Sequence, residues 1–205
     1  MQACPQGYYN EAEGAESTDD CAICKPGYYC FGTTSSGPTG QCFEGFVCEE
    51  GTIYPEDSDA NAFAVTAGHY APLGSSQELE CPRGTYQDQA EQASCKSCEA
   101  GYYCDTTGMT TLTGNECPVG YYCESYDDLD IAGEYYEKKP CPPGTYRATA
   151  GATSEDDCTL CPDGKYCENP GQSAVSGDCE AGYFCKEGST SSKPYTLVSS
   201  DYGPC

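Results

Sequence analysis

The sequence predicts small disulfide-rich repeats: short β-hairpins and irregular loops joined in an elongated tandem array. Three observations carry that expectation. There are 19 cysteines among 205 residues, a six-cysteine pattern recurs three times, and no continuous apolar stretch exists from which to build a core of ordinary size. Cysteine at this density marks disulfide scaffolds, which persist only in oxidising compartments, so the chain is expected outside the cell or on its surface. Tryptophan is absent, and 5 phenylalanines stand against 19 tyrosines. The longest apolar cluster, Ala62-Phe63-Ala64-Val65, is flanked by polar and turn-forming residues. Covalent cross-links must therefore replace a core, each closing a short ring and contributing about 2–3 kcal/mol.

The first element of the argument is the cysteine repeat, since self-similarity decides the architecture of such a chain. Copy one uses Cys4, Cys21, Cys24, Cys30, Cys42 and Cys48. Copy two uses Cys81, Cys95, Cys98, Cys104, Cys117 and Cys123, and copy three Cys141, Cys158, Cys161, Cys167, Cys179 and Cys185. Each reads C-x13/16-C-x2-C-x5-C-x11/12-C-x5-C. The organisation that follows is repeat 1 over 1–52, a linker with a degenerate cysteine-less unit over 53–80, and repeat 2 over 81–130. A linker over 131–140, repeat 3 over 141–190, and a stretch over 191–205 complete it; that stretch ends in Cys205, read as the first cysteine of a further repeat. No signal peptide opens the chain, and Cys205 has no partner left within it, so the sequence reads as a fragment of a longer secreted protein. The partner of Cys205 is expected beyond the chain's end.

A smaller unit lies inside each copy: a glycine three residues after a cysteine, usually followed by aromatic residues. Cys24-Lys-Pro-Gly-Tyr-Tyr-Cys30 and Cys98-Glu-Ala-Gly-Tyr-Tyr-Cys104 are examples. The openers at Cys4, Cys81 and Cys141 share the turn but lack the second cysteine. Glycine supplies a positive φ, proline before it stiffens the turn, and the tyrosine rings can cover the disulfide and the glycine backbone. In 53–80, Ala67-Gly68-His69-Tyr70 fits the same turn, which puts Val65 and Ala71 at the two cysteine positions. Both cysteines are missing together, which favours pairing within each C-x5-C unit: Cys24–Cys30, Cys42–Cys48, Cys98–Cys104, Cys117–Cys123, Cys161–Cys167 and Cys179–Cys185. The openers then pair forward, as Cys4–Cys21, Cys81–Cys95 and Cys141–Cys158. Six cysteines allow fifteen connectivities; the rival keeps the opener pair and crosses third to fifth and fourth to sixth. Strands of three to five residues are expected between Gly and Pro punctuation, and residues 87–94 are the single helical candidate.

The runs CPxGTY (Cys81 to Tyr86, Cys141 to Tyr146), GAxS…DDCxxC (Gly14 to Cys24, Gly151 to Cys161) and CxxGYYC resemble the ephrin-receptor-like cysteine-rich repeat, within the broad growth-factor-receptor and TNF-receptor group. The resemblance spans the chain except 53–64 and 186–204, and it implies an elongated extracellular rod of small modules. Tandem units of this kind are also similar to large surface proteins of protists and algae, including flagellar-hair (mastigoneme) proteins. Such modules serve receptors, adhesins and filaments alike.

Other readings are weaker. With 9 basic against 33 acidic residues and a net charge of −24, nucleic acid is excluded as a partner, and docking on anionic membranes is disfavoured. No stretch reaches the length of a membrane span, so no direct membrane insertion is expected. The CxxC pairs Cys21/Cys24, Cys95/Cys98 and Cys158/Cys161 lack the context of a zinc or redox site. His69, the single histidine, reads as a surface turn residue. The acidic clusters Asp19-Asp20, Glu56-Asp57-Asp59, Asp127-Asp128-Asp130 and Glu155-Asp156-Asp157 lack the ligand spacing of a Ca²⁺ loop and read as solvated surface. No cofactor and no metal is expected, and the chain is read as non-enzymatic. Candidate O-glycosylation sites lie in hydroxyl runs at Thr33, Thr34, Ser35 and Ser36, at Thr110, Thr111 and Thr113, and at Ser189, Thr190, Ser191 and Ser192; N-glycosylation sequons are absent. The function expected is a structural building block of an extracellular filament, flagellar hair or surface coat, with other copies of itself, neighbouring subunits and glycans as partners. The alternative is a ligand-binding or adhesive ectodomain of a larger receptor.

Overall fold

The computed structural model describes residues 3–10, 17–32, 36–56, 59–125, 138–194 and 203–204. Within them the repeating element is a rung of about twenty residues. Its centre is a β-turn in which the residue after glycine donates its N–H to the carbonyl three residues earlier: Tyr8 to Pro5 at 3.2 Å, Tyr28 to Lys25 at 3.1 Å, Thr145 to Pro142 at 3.1 Å. The glycine occupies the third turn position with φ 81° at Gly7 and 83° at Gly27, a conformation that a side chain resists. The two or three residues after it form a short strand. That strand pairs antiparallel with the segment leading into the next rung: Tyr8–Asn10 with Cys21–Ile23, Phe46–Cys48 with Ala62–Ala64, and His69–Tyr70 with Leu79–Glu80. Tyr121–Tyr122 pairs likewise with Lys139–Pro140, Thr145–Tyr146 with Thr159–Leu160, and Tyr183–Phe184 with Gly203–Pro204. Every sheet has two strands, because glycine and proline interrupt the chain before a third can add.

The chain divides into two compact parts, Met1–Lys96 with Thr106–Thr111, and Ser97–Asp105 with Leu112–Cys205. Within each part the rungs are laced by backbone hydrogen bonds in a fixed pattern. The turn glycine donates to the carbonyl at the second cysteine position of the next rung, as Gly7 to Cys30 at 3.1 Å, Gly27 to Cys48 at 2.9 Å and Gly144 to Cys167 at 2.8 Å. The first cysteine of the next rung donates back to the glycine carbonyl, as Cys24 to Gly7 and Cys42 to Gly27, both at 2.8 Å. A second turn, following most of the described rungs, folds onto the rung before: Gly51 N–H meets the Cys24 carbonyl at 2.9 Å and the Thr52 carbonyl accepts from Cys30 at 2.9 Å. Within each part the rungs are thus hydrogen-bonded to their immediate neighbours, and the second turn also lies against the turn glycine one rung further back, as Gly51 against Gly7.

Side chains add small cores rather than one large one. Tyr9 packs with the half-cystines Cys24 and Cys30, and Tyr122 with Cys141, Cys158 and Ala152. One expectation is corrected. Residues 87–94 form no helix: the Cys81–Cys95 bond brings its Cα atoms to 5.7 Å, so the chain must double back within a ring too short for a helix, and Glu91 lies at φ 60°. Within the parts successive repeats are joined by backbone hydrogen bonds, as Gly120 to Arg147 at 2.9 Å and Gly68 to Gln87 at 2.8 Å, a weld that apolar patterning does not reveal. The segment over 53–80, expected as a linker with a degenerate unit, carries strands at Ala62–Ala64, His69–Tyr70 and Leu79–Glu80.

Candidate functional site

The feature that recurs is the contact between one rung and the next two, and it is built around the cysteines. Six C-x5-C pairs are bonded internally, Cys24–Cys30, Cys42–Cys48, Cys98–Cys104, Cys117–Cys123, Cys161–Cys167 and Cys179–Cys185, with Cα–Cα separations of 5.7–6.0 Å. The openers bond forward, Cys4–Cys21, Cys81–Cys95 and Cys141–Cys158. Each CxxC pair is therefore split between two disulfides, which leaves no thiolate pair for zinc or redox exchange. Cys205 lies outside the described residues.

Val65 and Ala71 occupy the cysteine positions of the Gly68 rung in backbone as well as in spacing. Val65 N–H donates to the Gly45 carbonyl at 2.9 Å, as Cys24 does to Gly7, and Ala71 N–H donates to Gln92 at 2.9 Å, as Cys30 does to Thr52. Both are fully buried and cluster with Val47. An apolar contact here stands where other rungs have a covalent bond.

Close approach explains the second turn. A Cβ on Gly7 would lie 2.6 Å from the Gly51 carbonyl oxygen, and one on Gly27, Gly120 or Gly144 would clash with the carbonyl of Gly74, Gly171 or Gly188. The turn residue itself is glycine at positive φ except at Glu91, which holds φ 60° and packs on Gly45. Composition gives no hint of this pairing; the readable signal is a glycine three or four residues after the second cysteine position.

Two further residues escape the sequence reading. Gln87 and Arg147 stand where the openers lack a second cysteine. Gln87 is 1% exposed; its Nε2 donates to the Ser94 carbonyl at 2.8 Å and its Oε1 accepts from the Gln89 N–H at 3.3 Å. Arg147 donates from Nη1 to the Asp157 carbonyl at 2.9 Å and from Nε to Thr149 at 3.0 Å. Each side chain satisfies backbone groups inside the loop that the opener disulfide closes.

Part of the acidic surface is structural. Asp20 and Asp157 close capping boxes on the 3-10 turns Thr18–Asp20 and Glu155–Asp157. Asp157 Oδ2 accepts from Thr153 N–H at 2.7 Å, Thr153 Oγ1 at 3.0 Å and Ser154 N–H at 3.3 Å. The Thr153 and Ser154 hydrogen bonds, with Arg147 nearby, hold its carboxyl below the usual range. Burial pushes Asp59 up, but N–H groups of Asn61, Tyr54 and Ile53 outweigh it and the net shift is downward. Asp57 and the cluster at 127–130 lie outside the described residues. Among the described residues no group of His, Cys, Asp or Glu is placed to hold a metal ion, and no helix is long and apolar enough to cross a membrane. His69 lies opposite Glu80 in its ladder, and its Nδ1 is buried without a partner.

Basic residues are largely spent on internal pairs. Lys96 meets Asp88 at 2.5 Å, Lys139 meets Glu124 at 2.5 Å, Lys193 meets Glu180 at 2.8 Å, and Lys165 pairs with Asp178. Lys25, Lys96, Lys138 and Lys139 also sit over the rings of Tyr9, Tyr86, Tyr103 and Tyr122. Exposed pairs of this kind contribute little stability each; their consequence is an outward field that is almost wholly anionic. Of the hydroxyl runs, Ser36, Thr110, Thr111, Thr113, Thr190 and Ser191 are exposed and Ser192 is half-buried. Ser189 is corrected: it is 2% exposed and its Oγ donates to the Lys186 carbonyl at 2.6 Å, because it belongs to a second turn packed on the rungs behind it. Thr33, Thr34 and Ser35 lie outside the described residues.

Fold and site together define tandem, cysteine-rich repeats closed by local disulfides. Residues 68–114 match the family model described as tyrosine-protein kinase ephrin type A/B receptor-like. The chain is also 37% identical over 102 residues, 50% of its length, to Cysteine repeat modular protein A of Toxoplasma gondii, of which the match covers 3%.

Proposed function

We propose that the chain is a structural segment of an extracellular filament, flagellar hair or surface coat, located outside the cell or on its surface. The observation that carries this reading is the lacing: rung after rung offers the next the same backbone donors and acceptors, so length can be added without new chemistry. Disulfides at nearly every rung suit a load-bearing material in an oxidising medium. Other copies or neighbouring subunits are the proposed partners, with glycans on the exposed hydroxyls. An adhesive ectodomain is the second reading, favoured by exposed aromatic side chains such as Phe31 and Tyr54, whose ring centroids lie 5.2 Å apart. Gold-labelled antibodies against this segment, viewed by electron microscopy on intact cells, test the proposal. Labelling along filaments or a continuous coat is expected; labelling confined to the interior would overturn it, and labelling confined to contact sites would favour adhesion.

A further inference from the structure

We propose that the cysteine-free Gly68 rung is the yield point of the chain: under tension it opens first and releases the segment from Glu49 to Glu80, while the disulfide-closed rings on either side stay shut. The inference concerns how the chain carries load and applies to a filament subunit and an ectodomain alike.

Three observations converge on it. The first is covalent. All nine disulfides of the structure close local rings, none overlapping another. End-to-end force therefore passes across each cross-link, and only the segments between rings can lengthen. The segment between Cys48 and Cys81 is the longest of these and contains an entire rung, turn and both cysteine positions included. Among the described residues no other inter-ring segment holds a rung.

The second is the rung's own cohesion. Where the Gly45 and Gly101 rungs hold half-cystines with Cα atoms 5.7–6.0 Å apart, the Gly68 rung holds Val65 and Ala71, kept together by contact with Val47. Noncovalent contact yields under loads that leave a disulfide intact. The third is the turn by which the following rung clasps this one. Its N–H bond to the Val65 carbonyl, 2.9 Å, comes from Glu91, the single non-glycine residue at positive φ among the described residues. A side chain in that conformation weakens the clasp that glycine makes elsewhere.

Stretching the full 205-residue chain between end handles, disulfides intact, tests this. About 32 released residues at ~3.5 Å each predict a first, lowest-force event that lengthens the chain by roughly 100 Å. The next longest free stretches, 124–140 and the residues after Cys185, give no more than ~70 Å by the same measure. Val65→Cys combined with Ala71→Cys should shorten the first event by ~20 Å and move it to higher force. Glu91→Gly should raise the force of the first event without changing its length. A first event of ~70 Å or less overturns the proposal. So does a first event of unchanged force and length in the double-cysteine chain once mass spectrometry shows its new bond. If the double variant misfolds, the wild-type length and the Glu91→Gly force decide the matter.

Discussion

A methyl group on Gly7 would have to share space with the Gly51 carbonyl oxygen 2.6 Å away, and it would do so at φ 81°. Gly7→Ala should therefore cost at least about 2 kcal/mol, the left-handed penalty plus displacement of a neighbouring backbone, read as a shift in denaturant midpoint with disulfides intact. Glu91→Gly should act in the opposite direction. Relief of the left-handed penalty, less the greater unfolded-chain freedom of glycine, leaves a gain of about 0.5–1 kcal/mol; a loss of stability would contradict the role assigned to this turn. Gln87→Ala should lose about 1–3 kcal/mol, since it empties a buried site and removes the hydrogen bonds to Ser94 and Gln89 inside the Cys81–Cys95 loop. The first glycine turns were legible in the sequence because a cysteine announces all of them but the Gly68 turn, which keeps the spacing and the Gly-x-Tyr run. The second turns were not: their glycines pack on residues about forty positions away, and one of them is a glutamate. Gln87 and Arg147 were invisible for a related reason, since a missing cysteine does not say what replaces it.

At the scale of elements, the two 3-10 turns and the laced rungs make separate predictions. Asp157 is held below its ordinary value of 3.8 by the hydrogen bonds it accepts from Thr153 and Ser154. A carboxylate whose folded pKa is depressed contributes stability that is fully present above the unfolded value and lost as pH falls through the folded one. The amide resonances of Thr153 and Ser154 should therefore shift only below pH 3.8, and a transition centred above it would contradict the cap. Lacing predicts amide exchange: Gly27, Cys42 and Gly74, whose N–H groups bond to Cys48, Gly27 and Cys42, should be protected alongside the hairpin amides. Independent beads on a string would leave all three exchanging freely. The helical expectation over 87–94 failed at this scale because alternation of Gln, Ala and Glu speaks to local propensity, while the ring closed by Cys81 and Cys95 dictates the path.

For the whole molecule, the cysteine-free rung and the all-hairpin character were written in the cysteine spacing, because a short ring has few ways to close. Function was less legible, since the same modules can carry load or bind a partner, and the anionic surface excludes classes without choosing one. The account stands on rungs that close on themselves before they join. Peptide mapping of the unreduced chain is its most direct test: Cys24 should be found joined to Cys30, and Cys98 to Cys104. A bond from Cys24 to Cys42 would contradict the rung and every contact built upon it.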